Sequence, residues 1–257
     1  MGVIICEAAL YAIVFFTGTC IYSFLNVIIY RVPRKMSFVK GFSICPSCRH
    51  RLGPADLVPI LSWVFLRGKC RYCGKKIGAR DTLVEILGGL TALFCFFTFE
   101  DYGAMVTAFL FYCILTVVTF LDIDTMEIED GCSIAMAVLA MVALVTMSGH
   151  GIADRLIGAL CVSLPMLIIT LIIPSAFGGG DIKLMAACGL FLGWKATLVS
   201  AAIAILLGGG YGIWLLVAKK AERKAHFAFG PFLCIGMAIA FIYADSLINT
   251  YLSIMLP

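Results

Sequence analysis

The chain has 257 residues, 62% of them hydrophobic and 13% charged, with a formal net charge of +4. A soluble domain carries about 25% charged residues, so this composition excludes an ordinary water-soluble globule and asks for a bilayer as solvent. The net charge is small and there is no acidic or basic tail, so no nucleic-acid partner is expected.

The first apolar stretch, residues 3–30, has no basic region before it and is followed by Arg31, Arg34 and Lys35. It also exceeds the roughly 7–15-residue core of a signal peptide, which predicts a retained transmembrane helix. A spanning helix needs about 20 apolar residues. Eight segments fit or approach that length: 5–30, 82–99, 103–121, 132–149, 153–173, 182–194, 196–217 and 231–249, the sixth being short. The predicted fold class is an all-α polytopic membrane protein of about eight transmembrane helices with a cytoplasmic zinc-binding loop domain. Its expected parts are a first helix (1–30), a cytoplasmic tetracysteine loop (31–81) and a seven-helix membrane domain (82–257). No internal repeat is evident.

Lysine and arginine set the expected orientation. Residues 31–80 hold 12 of the 19, and Lys219, Lys220, Arg223 and Lys224 form a second cluster. With eight spans and the N-terminus outside, these and Lys183 fall in the cytoplasm, leaving only Arg155 and Lys195 outside. The segments 121–131 and 174–181 then also face the cytoplasm.

Of the 12 cysteines, eight lie in apolar segments and read as packing residues. The other four form two knuckles, Cys45-Pro-Ser-Cys48 and Cys70-Arg-Tyr-Cys73, separated by 21 residues. Four thiolates so spaced can close a tetrahedral zinc site, and a closed four-sulfur site has no open position for water, so its role would be structural. The competing reading is two disulfides or four free thiols; a reducing cytoplasm disfavours disulfides. His50 is a further candidate ligand or a solvated side chain.

Two acidic segments stand out, because ionisable groups at the membrane edge are costly. Asp122, Asp124, Glu127, Glu129 and Asp130 gather five acids at a helix end with no basic partner nearby in sequence. Asp181 follows Gly178-Gly179-Gly180 at the start of an apolar helix; the glycines would allow close backbone approach or positive φ. Asp130 and Asp181 also suit helix N-caps. Alternatively, Asp122 and Asp181 converge, share one proton and activate water against a peptide bond without a metal.

In their order along the chain these segments resemble the bacterial prepilin peptidases (type IV leader peptidases, also prepilin peptidase–N-methyltransferases), a GxGD aspartic protease family. Ser23 to Pro33 resembles the family's first-helix ending, and the two CxxC knuckles resemble its cytoplasmic zinc loop. Leu83-Val84-Glu85 is similar to the close of an arginine-tyrosine-proline segment, which reads Arg80-Asp81-Thr82 here. Asp122 to Asp130 resembles the first catalytic segment, Gly178 to Lys183 the GxGD motif, and Phe229-Gly230-Pro231-Phe232 the last-loop signature. Where the family usually has proline before the last acid of the first segment, this chain has Glu129.

The resemblance implies an enzyme of the bacterial inner membrane that cuts the basic leader from type IV prepilin or pseudopilin precursors, with Asp122 and Asp181 catalytic. It also implies Gly178, Gly180, Asp124, Asp130 and Lys183 as residues that shape the site or meet substrate. Methylation of the new N-terminus from S-adenosylmethionine would follow, with Glu85 and Arg80 as candidates for that step. No GxGxxG fingerprint is present, and Gly208-Gly209-Gly210 reads as a helix-packing run. The alternative function is a membrane transporter or channel with a zinc-stabilised loop. A third reading is a wider GxGD peptidase of preflagellin or presenilin type. The sequence is silent on oligomeric state.

Overall fold

A computed structural model describes residues 2–147, 149, 151–174, 176–218 and 227–255. The cluster Lys219, Lys220, Arg223 and Lys224 lies outside the described residues. Among the described residues the architecture is helical, without strands: α1 (Gly2–Arg31), α2 (Leu61–Phe65), α3 (Arg80–Thr98), α4 (Tyr102–Thr125), α5 (Asp130–Thr146), α6 (Ile152–Cys161), α7 (Ser163–Ile172), α8 (Gly179–Leu192), α9 (Trp194–Val217) and α10 (Gly230–Met255). Short 3₁₀ turns cover Val32–Arg34 and Pro54–Asp56. The chain is a multi-pass membrane protein, as its composition requires.

The expected apolar segments all appear as helices, with one interruption. The fifth is two helices, α6 and α7, broken at Val162, and together they still form one apolar stretch, Ile152–Ile172. The expected count of about eight spans is not met by length: six stretches are long and apolar enough to cross a membrane among the described residues. Helix α5 has 17 residues and α8 has 14. At 1.5 Å rise per residue, α8 covers only about 21 Å of a hydrocarbon core about 30 Å thick.

The chain divides into two compact units, Met1–Phe109 and Leu110–Pro257. In the first, α1 and α3 pack closely because small residues face each other. A side chain at Gly18 would strike the Gly88 carbonyl, and one at Gly88 would strike the Tyr22 ring. In lipid, where apolar surface has no reason to seek apolar surface, such backbone approach is what holds helices together. The Asn26 amide donates to the Asp81 carbonyl at 3.0 Å, tying the ends of α1 and α3 where the cysteine loop leaves and returns.

In the second unit the core is built mainly of leucine, methionine and alanine side chains, with a small group of rings among them. Phe111 stacks on Phe191 with centroids 4.5 Å apart, and Phe241 tilts against both. Arg155, in α6, is buried. Its guanidinium donates to the carbonyls of Leu190 (3.1 Å) and Phe191 (3.0 Å) at the end of α8 and of Ala143 (3.2 Å) near the end of α5. A cation among helix C-terminal carbonyls meets both their unsatisfied oxygens and the negative end of the macrodipole.

Candidate active site and metal centre

The four knuckle cysteines come together. One ligand atom from each of Cys45, Cys48, Cys70 and Cys73 lies within 4.8 Å of all the others. Zinc–sulfur bonds of 2.3 Å in a tetrahedron put sulfurs about 3.8 Å apart, so the donor set and its spacing fit a closed structural zinc site. The amides of Cys48 and Ser47 point at the Cys45 sulfur and pull its thiol down to about 6. The His50 amide favours the Cys48 thiolate, but desolvation and the neighbouring sulfurs of Cys45 and Cys73 outweigh it and push that thiol up to about 11. Neighbouring sulfurs thus resist sharing negative charge, which is what a divalent cation among them relieves.

The two knuckles share one backbone design. The Arg49 amide donates to the Cys45 carbonyl and the Gly74 amide to the Cys70 carbonyl. The Cys45 amide donates to His50 and the Cys70 amide to Lys75. Isolated bridges pair Ile44 with Arg51 and Lys69 with Lys76. Each knuckle turns on a left-handed residue after its second cysteine, Arg49 at φ 57° and Gly74 at φ 70°.

Residues that spacing did not single out close this loop. Asp56 accepts hydrogen bonds from the Gly53 amide (3.1 Å), Arg71 Nε (2.6 Å) and the Tyr72 hydroxyl (3.1 Å), gripping the second knuckle from the connector. Burial opposes the charge on Asp56, but these three donors outweigh it and hold the carboxyl below its ordinary range. His50 is no part of the sulfur cluster; its ring lies tilted against Tyr72 with centroids 3.7 Å apart, one knuckle against the other.

Glu85 and Arg80 lie at the start of α3. One Glu85 carboxylate oxygen accepts the Ile60 amide at 2.8 Å. Ile60 has φ 61° and ψ −54°, in a γ-turn closed by the Leu61 amide donating to the Pro59 carbonyl at 2.5 Å. That conformation is rare and strained for a β-branched residue. Glu85 therefore clasps a strained turn of the cysteine loop, a tie for which the sequence carried no signal.

In the second unit, Asp122 lies in the last turn of α4 and is buried, 4% exposed. The negative end of its own helix is a poor place for a carboxylate. It is compensated by another helix start: the Gly230 amide, first residue of α10, donates to Asp122 Oδ2 at 2.7 Å. Gly230 must be glycine, since a Cβ there would sit 2.6 Å from that oxygen. Asp181, half-buried, lies in the first turn of α8, and the Gly178 amide donates to its Oδ2 at 3.3 Å. The two carboxylates lie within electrostatic reach of each other.

Two expectations about these acids change. Neither Asp130 nor Asp181 is itself an N-cap: Glu129 caps α5 and Gly178 caps α8, with Asp181 reaching back from the third position. The acidic segment also has a basic partner in space. Lys183 Nζ lies 2.7 Å from Asp130 Oδ1, joining the starts of α5 and α8. Of the glycine run, Gly180 supplies the close approach: a Cβ there would lie 2.8 Å from Ile128 Cβ and 3.0 Å from its carbonyl oxygen. Gly179 faces open space, and none of the three takes positive φ. Asp124, Glu127 and Glu129 are exposed. Glu129, in place of the family's proline, holds φ −65°, the angle a proline ring imposes. In the later run, Gly208 packs under the Phe229 ring beside this site, while Gly209 and Gly210 meet nothing.

Comparison with known proteins covers both units. Residues 16–99 match the Bacterial Peptidase A24 N-terminal domain, and residues 109–213 match the Type IV leader peptidase family. A prepilin leader peptidase/N-methyltransferase of Bacillus subtilis is 30% identical over 246 residues, 95% of this chain and 99% of that one. Its namesake in Aeromonas salmonicida is 29% identical over 276 residues, 96% of this chain and 95% of that one. Another, from Myxococcus xanthus, is 35% identical over 210 residues, 79% of this chain and 62% of that one. No solved structure matches.

Proposed function

We propose, starting from the fact that this chain belongs to the type IV leader peptidase family, that it cleaves the leader of type IV prepilin or pseudopilin precursors as a membrane aspartic endopeptidase. The observation that supports this reading is that Asp122 and Asp181, on separate helices, lie within electrostatic reach of each other, each carboxylate accepting from a glycine amide near a helix start. Two such carboxylates share one proton: one draws a proton from water while the other gives one to the scissile carbonyl. The hydrated carbon then expels the amine, which takes a proton as the C–N bond breaks. The exposed acids Asp124, Glu127 and Glu129 supply a field complementary to a basic leader.

Lysine and arginine placement supports an inner-membrane orientation with the N-terminus outside and both the cysteine loop and the aspartates facing the cytoplasm. That orientation keeps the eight-span count. Zinc held by Cys45, Cys48, Cys70 and Cys73 would fold the loop and take no part in hydrolysis. The relatives' names support a second step, transfer of a methyl group from S-adenosylmethionine to the new N-terminal amine. Glu85 would serve that step by fixing the loop at Ile60, with Arg80 at the mouth of α3.

The test is co-expression with a prepilin and mass measurement of its N-terminus. Asp122→Asn and Asp181→Asn should each cut the cleavage rate at least 100-fold, about the lower end of what acid–base groups supply, while both variants still insert. Wild-type processing by either variant would overturn the mechanism. Glu85→Gln should leave cleavage intact and lower methylation.

A further inference from the structure

We infer that the cysteine loop is an interfacial element that lies on the bilayer and docks on anionic phospholipid headgroups. The loop has the composition for it. Residues 31–80 hold 12 lysines and arginines and a single acid, Asp56, which is already occupied by Arg71. Lys35, Lys40, Arg67 and Lys69 are all exposed. The loop also shows water an unusual amount of apolar surface for so polar a segment. Leu61, Val64 and Phe65 are exposed at i, i+3 and i+4 on one face of α2, Phe65 to 80%. Phe38, Val39 and Phe42 form a second exposed group, Val39 to 79%.

Both groups are held at helix ends that meet the membrane. The buried Arg31, at the end of α1, donates to the carbonyls of Ser37 (2.8 Å), Lys40 (3.1 Å) and Phe42 (3.1 Å), which pins the first group beside that span. Glu85, in α3, accepts the Ile60 amide and pins the start of α2 beside the next. These ties hold both apolar groups close to the ends of α1 and α3. Cations flanking apolar side chains, fixed at headgroup depth, are what an anionic leaflet binds. Charge complementarity selects that leaflet over a zwitterionic one, and over a basic leader, which this surface would repel.

The test uses the zinc-loaded full chain in lipid nanodiscs, either phosphatidylcholine alone or phosphatidylcholine mixed with phosphatidylglycerol. Amide exchange at 36–42 and 60–66 should slow several-fold in the anionic discs. The pair Val64→Ser and Phe65→Ser should erase the slowing at 60–66 with zinc content unchanged, and Phe65→Trp should keep it. If the serine pair loses zinc, Phe38→Ser with Val39→Ser reads the same surface at 36–42. Equal exchange in the two discs, or slowing only after a prepilin is added, would overturn the inference. None of these readouts requires peptidase activity, so failure here leaves the aspartate mechanism standing.

Discussion

The cysteine loop and the aspartate site solve the same problem, bringing chemically matched side chains together, by opposite routes. The loop is local. Its four sulfurs fall within one short segment, two turns of the same design fold each pair, and Asp56 closes the gap between them. The aspartate site is distributed. Asp122 and Gly230 meet from the ends of two helices, and Asp181, at the start of a third, lies within electrostatic reach of Asp122. A local site fails when its own stabilising ion or turn is lost; a distributed site fails when any one helix end shifts.

Denying the four sulfurs a metal is the strongest test of that contrast. A structural zinc site of this kind is worth about 10–16 kcal/mol at neutral pH. Chelation, or Cys70→Ser, should release amide protection across 43–77 while leaving exchange at the starts of α8 and α10 unchanged. Loss of protection at both sites would mean the aspartate region is not built independently of the loop.

The distributed site should break at single glycines. Gly230→Ala drives a methyl group into the Asp122 carboxylate, and Gly180→Ala drives one into the Ile128 backbone. Each should cost leader cleavage 100-fold or more, about 3 kcal/mol. Gly179→Ala, which meets open space, should stay within threefold of wild type, about 0.7 kcal/mol. Equal damage from all three would show that chain flexibility, not close approach, is what the run provides.

Smaller effects sharpen the local side. Asp56→Asn removes the ion pair with Arg71 and should weaken the folded loop by about 2 kcal/mol, read as zinc affinity against a competing chelator. Because the folded carboxyl titrates below its ordinary range, its contribution is complete above that range and is lost only as pH falls through the lowered value. The penalty should therefore be flat between about pH 6 and 8. Arg49→Gly supplies at the first knuckle the residue that Gly74 supplies at the second. It should raise zinc affinity slightly, by about 0.5–1 kcal/mol.

What could be read from the residues follows the same division. Cysteine spacing pointed to all four sulfurs because the site is short-range. Asp122 and Asp181 stood out because a charge beside an apolar run is expensive, yet nothing near Asp122 signalled that the Gly230 amide, 108 positions away, would meet it. The pairing of Lys183 with Asp130 was hidden for the same reason: both sat in segments already noted, but their register depends on how α5 lies on α8. Charge counting gave Arg155 only a side of the membrane and said nothing of its partners. The helix ends that accept its protons are a feature of packing, not of composition.

That arginine has a mechanical consequence. By fastening α8 to α5 at the ends remote from Asp181 and Asp130, its guanidinium acts as a rivet. Helices riveted at one tip do not slide past each other; they part at the other like tongs. Room for an incoming polypeptide would then open as a small angular spread at the aspartate end, with the Lys183–Asp130 pair as the clasp to be undone.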